Sequence, residues 1–264
     1  MFEEKFNALV ECDLKSYFYT HNLGEIIGVE SYSRPAPPGP NDTYSQEGAD
    51  PFGPDCADLA RLHAFITKRK ALTVLEFGSG LSTLVMAHAL SQNHERYSDK
   101  INLIRRQNPF HIYALEADQK YIEISSEICS QYNERVSVLP SAAVREDFRG
   151  MVAGRYNRVP SVCPDLIYID GPSPYSYLES DEEYLSFRSP DITNITIDLL
   201  KLEPCLLPGT VVVFDGMTNN ARFNYRHLSR NWLRHEDTEM DYTILMLDEP
   251  ALGLHHSNQL RFVG

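Results

Sequence analysis

Cysteine is scarce and unpatterned. The chain has five, at positions 12, 56, 129, 163 and 205, with no Cys-x-x-Cys spacing among them. Neither a disulfide framework nor a cysteine-built zinc site is therefore expected. Surplus positive charge is also missing: 24 Lys and Arg stand against 37 Asp and Glu in 264 residues, a net charge of −13. Phosphate-backbone binding and attraction to an anionic membrane both draw on excess Lys and Arg, so neither nucleic acid nor a membrane is an expected partner. No uninterrupted apolar run approaches the roughly 18 residues of a spanning helix. The opening Met1-Phe-Glu-Glu-Lys has neither the basic start nor the apolar stretch of a secretory signal, which makes a cytoplasmic location the expectation. Hydrophobic residues at 42% and aromatics at 11% are enough for an ordinary globular core.

What is present falls into two parts. Residues 1–54 read as a proline-rich arm, with six of the 16 prolines lying between positions 35 and 54. Proline lacks an amide donor and favours extended backbone, so this segment reads as a covering arm or a loosely ordered lead-in, of a kind that can exchange between subunits of a homo-oligomer. From Asp55 onward helical spacing begins, with Leu59, Leu62 and Ile66 in register and Asp55 or Asp58 placed to cap. Strands and helices then alternate. Thr73 to Phe77, His111 to Leu115, Val136 to Leu139, Asp165 to Ile169 and Thr210 to Phe214 read as strands. Helical repeats run from Leu81 to Leu90, through Tyr121, Ile124 and Ile128, and through Ile192, Ile195, Leu199 and Leu202. This alternation predicts a doubly wound, mostly parallel α/β sheet with helices on both faces. At the end, Leu233 to His235 and Tyr242 to Leu247 are too close for a crossover helix, so that pair is expected to be antiparallel. The connections at 94–110 and 171–191 are long; the second carries Glu179, Asp181, Glu182 and Glu183, which read as a solvated acidic face.

The chemistry-bearing residues gather where strands end. Glu76-Phe-Gly78-Ser79-Gly80-Leu-Ser82-Thr83 is a strand, a Gly-x-Gly turn and a helix start, a layout that brings a ligand close to backbone. A nicotinamide fingerprint would place a third glycine where Thr83 stands. The second strand ends in Glu116, suited either to ribose hydroxyls or to the helix starting near Asp118. Asp170 follows a wholly apolar strand, and Asp215 repeats that arrangement one strand later. If those strands are neighbours, the two carboxylates share a crevice and call for a cation or a shared proton. Oxygen ligands suit Mg²⁺, with Asn219 or Asn220 as further donors, whereas Asp215 can alternatively cap the next helix. Arg105-Arg106 and Arg222 are the basic spots available to an anionic substrate.

The ordered set Leu75-Glu-Phe-Gly-Ser-Gly80, Ala114-Leu-Glu-Ala-Asp118, Tyr168-Ile-Asp-Gly-Pro172 and Pro208-Gly-Thr-Val-Val-Val-Phe-Asp215 resembles class I S-adenosylmethionine-dependent methyltransferases. It is most similar to their small-molecule O-methyltransferase branch, the catechol and sugar types. The resemblance spans roughly residues 55 to 248 and implies a Rossmann-like sheet of seven strands with an antiparallel C-terminal strand, in a methyltransferase domain covering 55–264. It implies that Glu76, Gly78, Ser79, Gly80, Ser82 and Thr83 wrap the cofactor and that Glu116 holds its ribose. Asp170 would lie near the transferred methyl, and Asp170 and Asp215 would be metal ligands in a metal-dependent member. Two departures stand out: Ser82 holds the third glycine position of the first motif, and Gly216 replaces the Asn that follows Asp215 in metal-dependent relatives. The implied activity is methyl transfer from S-adenosylmethionine to a hydroxyl of a small molecule such as a sugar. A catalytically silent protein on the same fold and a nicotinamide-linked oxidoreductase are the alternatives.

Overall fold

The computed structural model describes residues 13–34, 53–177 and 192–264. The densest proline stretch, 35–52, and the acidic run Glu179, Asp181, Glu182 and Glu183 lie outside the described residues. Ahead of the main domain, α1 (Leu14–Thr20) and α2 (Leu23–Ile27) form a helical pair where the sequence suggests only an arm. Phe18, Leu23 and Ile27 pack with Cys56, Leu59, Ala60 and Val85, so the pair is docked on the body by an apolar cluster.

Helix α3 (Cys56–Arg69) starts where Asp55 accepts bonds from the Ala57 and Asp58 amides, and stops at Lys70 in left-handed backbone. Then come β1 (Thr73–Phe77), α4 (Leu81–Tyr97), β2 (His111–Glu116), α5 (Gln119–Ile128) and β3 (Val136–Pro140). A hairpin follows, β4 (Ala143–Phe148) and β5 (Met151–Tyr156), before β6 (Leu166–Ile169) and the short α6 (Asp198–Leu202). The chain ends with β7 (Val211–Asp215), α7 (Thr218–His227), β8 (Trp232–Asp237), β9 (Tyr242–Leu247) and α8 (Leu254–Val263).

Seven strands form one sheet in the order β3-β2-β1-β6-β7-β9-β8, and only the contacts of β9 are antiparallel. The doubly wound expectation therefore holds, including the antiparallel end. Strands β1 and β6 are buried at every residue, as strands covered on both faces must be. Alternate residues serve opposite cores. Val74, Tyr168 and Val213 face α3, α4 and α8, while Leu75, Phe77, Ile169 and Phe214 face α6, α7 and Tyr156 of the hairpin.

Three local readings change. The helix predicted from Leu81 to Leu90 continues to Tyr97, which shortens the expected loop at 94–110. The helical repeat from Ile192 to Leu202 yields helix only from Asp198, because residues before it lie extended against the hairpin, with Ile197 N–H donating to Gly154 O. The β4–β5 hairpin was not legible as strands.

Phe18 is 1% exposed and anchors the α1–α2 pair. Replacing it with Ala is expected to cost about 3–5 kcal/mol of packing, enough to undock the pair. Trypsin should then cut after the exposed Lys15 much faster than in the wild-type chain. Unchanged cleavage would contradict this docking.

Candidate functional site

The sheet register brings the candidate residues to one edge. Phe77 pairs with Leu115 on one side and Ile169 on the other, and Ile169 pairs with Phe214. The next residues, Gly78, Glu116, Asp170 and Asp215, therefore emerge in a row at the carboxyl end of four adjacent parallel strands. The order reverses between β1 and β6, which makes this the switch point where doubly wound sheets hold ligands.

The glycine turn is fixed by a buried carboxylate. Glu76 is 0% exposed; Ser82 donates its hydroxyl to Oε1 at 2.5 Å and Thr83 donates to Oε2 at 2.6 Å. Thr83 also accepts from the Gly80 amide at 3.0 Å. Ser82 and Thr83, expected at the cofactor, thus clasp the end of β1 to the first turn of α4, and the side chain of Glu76 is turned into that clasp. Burial raises the Glu76 pKa to about 8, against the lowering effect of the two hydroxyls. Gly78 has φ of 113°, a region that L side chains rarely adopt. A Cβ on Gly171 would lie 3.1 Å from Gly78 Cα and 2.8 Å from the Tyr156 hydroxyl, so the loop after β6 can close on the turn only as glycine. Over Gly80, by contrast, nothing lies within 4 Å of where a Cβ would stand.

Glu116 is 8% exposed and sits beside that open backbone. Its Oε1 accepts from the Ala117 and Asp118 amides at 2.7 and 3.0 Å, and its Oε2 accepts from Ser79 at 2.9 Å. Ser125 in turn donates to Ser79. The capping role belongs to Asp118, which accepts from the Lys120 amide. Glu116 is therefore fixed in direction, and Ser79 serves to hold it. Desolvation raises its pKa, with those hydrogen bonds opposing the shift.

Asp170 and Asp215 do lie on neighbouring strands. Asp170 is exposed at the mouth of the crevice, yet the surrounding protein displaces bulk water, and Asp215, Glu76, Asp58 and Glu116 add negative potential. Its pKa is accordingly pushed well above the carboxylate range. Asp215 does not cap α7, whose N-terminal flanking residue is Met217. Instead the Tyr168 hydroxyl donates to Asp215 Oδ2 at 2.5 Å, and Arg61 NH2 lies 3.6 Å from Oδ1. Helix α3 runs back over the sheet, which places its first turns, with Asp58 and Arg61, above this edge.

The donor set proposed for Mg²⁺ does not assemble. Asn220 is fully buried and its amide is used up: Oδ1 accepts from the Thr196 amide and from Asn224, and Nδ2 donates to Thr196 Oγ1. Asn219 is exposed on α7. Among the described residues no group of three or more His, Cys, Asp or Glu is placed to hold a metal ion. The residues present therefore do not fit a divalent cation.

The basic spots go elsewhere. Arg106 donates to Cys163 O at the amino end of the sheet, remote from the carboxyl edge, and Arg222 is paired with Glu236. Sequence reasoning missed Arg61 and the hydroxyl of Tyr168. The available signal was the Asp58-x-x-Arg61 spacing, a charged i,i+3 pair on a helix otherwise carrying Leu59, Leu62 and Ile66. No helix among the described residues is long and apolar enough to cross a membrane.

No protein-family model matches the sequence, and no curated protein matches it. Among solved structures it is similar to an O-methyltransferase from Bacillus cereus in complex with SAH, at 14% identity over 89% of this chain and 90% of that one, with a TM-score of 0.37. It is also similar to an O-methyltransferase from Streptomyces achromogenes involved in tomaymycin synthesis, in complex with SAM, at 14% identity over 93% and 95%, TM-score 0.40. A third is an SAH-bound methyltransferase from Podospora anserina, at 14% identity over 73% and 79%, TM-score 0.41. These likenesses are distant, and the strand order and site geometry stand without them.

Glu76 generates a pH prediction with a definite sign. Its folded pKa of about 8 lies above the ordinary glutamate value of 4.5, so the folded protein holds this proton more tightly and loses stability as pH rises through that window. Urea unfolding of the wild type and of Glu76→Gln at several pH values isolates the effect. The stability difference between them should shift in favour of the variant from pH 5 to pH 8; a difference independent of pH would contradict the buried-proton account.

Proposed function

We propose that this protein transfers a methyl group from S-adenosylmethionine to a hydroxyl of a small molecule, such as a sugar. The observation that carries the reading is the glycine turn at Gly78–Gly80 with open space above Gly80 and the fixed Glu116 carboxylate beside it, at the switch point of the sheet. In this reading residues 55–264 are the transferase domain, with the α1–α2 pair docked ahead of it.

The fit to the cofactor rests on chemistry. A carboxylate held by two backbone amides and a serine is a rigid acceptor for a pair of ribose hydroxyls, and Oε2 accepts only from Ser79 among the described residues. Gly80 lets a ligand approach the start of α4, whose first amides favour a carboxylate. Glu116, Asp170 and Asp215 line the crevice with carboxyl groups, and a sulfonium brought among them favours their ionised forms. When bound, S-adenosylmethionine supplies an electrophilic methyl on a positively charged sulfur.

The remaining work falls to the protein. Asp170 stands at the mouth of the crevice, where positive charge brought beside it lowers its raised pKa and frees it to take the acceptor's proton. The Gly78–Gly80 turn and Glu116 would hold the cofactor so that its methyl carbon is offered to the acceptor oxygen, with the sulfur as leaving group. Holding the two reactants in line accounts for most of the acceleration in a displacement of this kind. Thr83 stands where a nicotinamide site needs its third glycine, and its hydroxyl is engaged with Glu76 and Gly80, which weighs against the oxidoreductase.

Calorimetric titration with S-adenosylhomocysteine tests the reading. We expect micromolar binding, weakened at least tenfold in Glu116→Ala because two fixed hydrogen-bond acceptors are lost. No binding to the wild-type protein would overturn the methyltransferase; binding of NADH in its place would favour the oxidoreductase.

A further inference from the structure

The crevice gathers carboxylates without gathering a metal's donors, and one cation is already built into it. Arg61 is only 5% exposed, an unusual position for a permanently charged side chain. Its NH2 donates to Asp58 Oδ1 at 2.6 Å and stands 3.6 Å from Asp215 Oδ1. The guanidinium carbon lies 4.1 Å from the centre of the Tyr242 ring, a cation–π contact. Tyr168 completes the arrangement by donating to the other oxygen of Asp215. Nη1 of the same guanidinium is buried and has no hydrogen-bond partner among the described residues.

Two carboxylates brought together at a strand edge need positive charge between them. In an oxygen-rich site a divalent ion commonly supplies it. Here the place is filled: Asp215 offers one oxygen to a phenol and turns the other toward a guanidinium, and Asp58 is bonded to the same guanidinium. A second cation would meet the charge of Arg61 at close range. An arginine also differs from a metal in kind, because it stays charged and cannot be exchanged.

We infer that Arg61 is the resident cation of this crevice, standing in the place of a divalent metal. The inference does not depend on the methyl-transfer reading.

The test uses Mn²⁺ as the probe, followed by the loss of its free electron paramagnetic resonance signal, on the full chain. Wild-type protein is expected to leave the signal unchanged at submillimolar metal. Arg61→Gln should gain a Mn²⁺ site at least tenfold tighter, lost again when Asp215→Asn is added, and Mg²⁺ should raise its Tm but not that of the wild type. Arg61→Lys, which keeps the charge, should bind no more Mn²⁺ than the wild type. Submillimolar Mn²⁺ binding by the wild type that Asp215→Asn abolishes would overturn the inference. So would a folded Arg61→Gln that gains no site. If Arg61→Gln fails to fold, the wild-type and Arg61→Lys measurements decide. S-adenosylhomocysteine titration stays separate: its failure removes the proposed function, while the Mn²⁺ result alone judges the resident cation.

Discussion

Everything at the functional edge depends on one clasp, the buried carboxylate of Glu76 held by the hydroxyls of Ser82 and Thr83. A fully buried carboxylate is costly unless it is bonded on both oxygens, and here both are. The clasp joins the end of β1 to the start of α4 across the two glycines. That forces the chain through a turn that leaves backbone bare above Gly80 and brings Gly78 against Gly171. Glu116 then needs only Ser79, Ser125 and its own following amides to point along the same edge. A local hydrogen-bond solution at one strand end thus sets the shape of the whole crevice.

The charge of the site follows from the same geometry. Parallel strands ending together bring Glu116 and Asp215 near enough to raise the proton affinity of Asp170. Such a cluster is stable when protons are retained, when hydroxyls donate to it, or when a cation is present. The chain uses all three means: Glu76 with a pKa of about 8, Tyr168 on Asp215, and Arg61 between Asp58 and Asp215. The remaining negative potential faces the open space, which is what a positively charged ligand requires.

Much of this was legible in the sequence because the central strands announce themselves. Asp165 to Ile169 and Thr210 to Phe214 are uninterrupted apolar runs that end in an acid, and a parallel sheet must align such ends. The hairpin at β4–β5 was hidden for the opposite reason. Ala143-Val-Arg-Glu-Asp-Phe148 is half charged, and its turn is Arg149-Gly150, with both residues at positive φ, a weaker signal than Asn-Gly. The helix expected from Ile192 was shortened by tertiary contacts that periodicity cannot express, namely the bonds of residues 195–197 to Gly154 and of Thr196 to Asn220. For the site, single carboxylates could be read but their partners could not. That Asn220 faces Thr196, and that Arg61 reaches Asp215 across a sequence separation of 154 residues (215 − 61), depends on packing between distant segments.

The most direct test of the account is a crystal structure of the protein with S-adenosylhomocysteine. The account predicts electron density lying over Gly78–Gly80, with both ribose hydroxyls on the Glu116 carboxylate and the sulfur toward Asp170. Density elsewhere on the sheet, or a ribose held by any group other than Glu116, would contradict it.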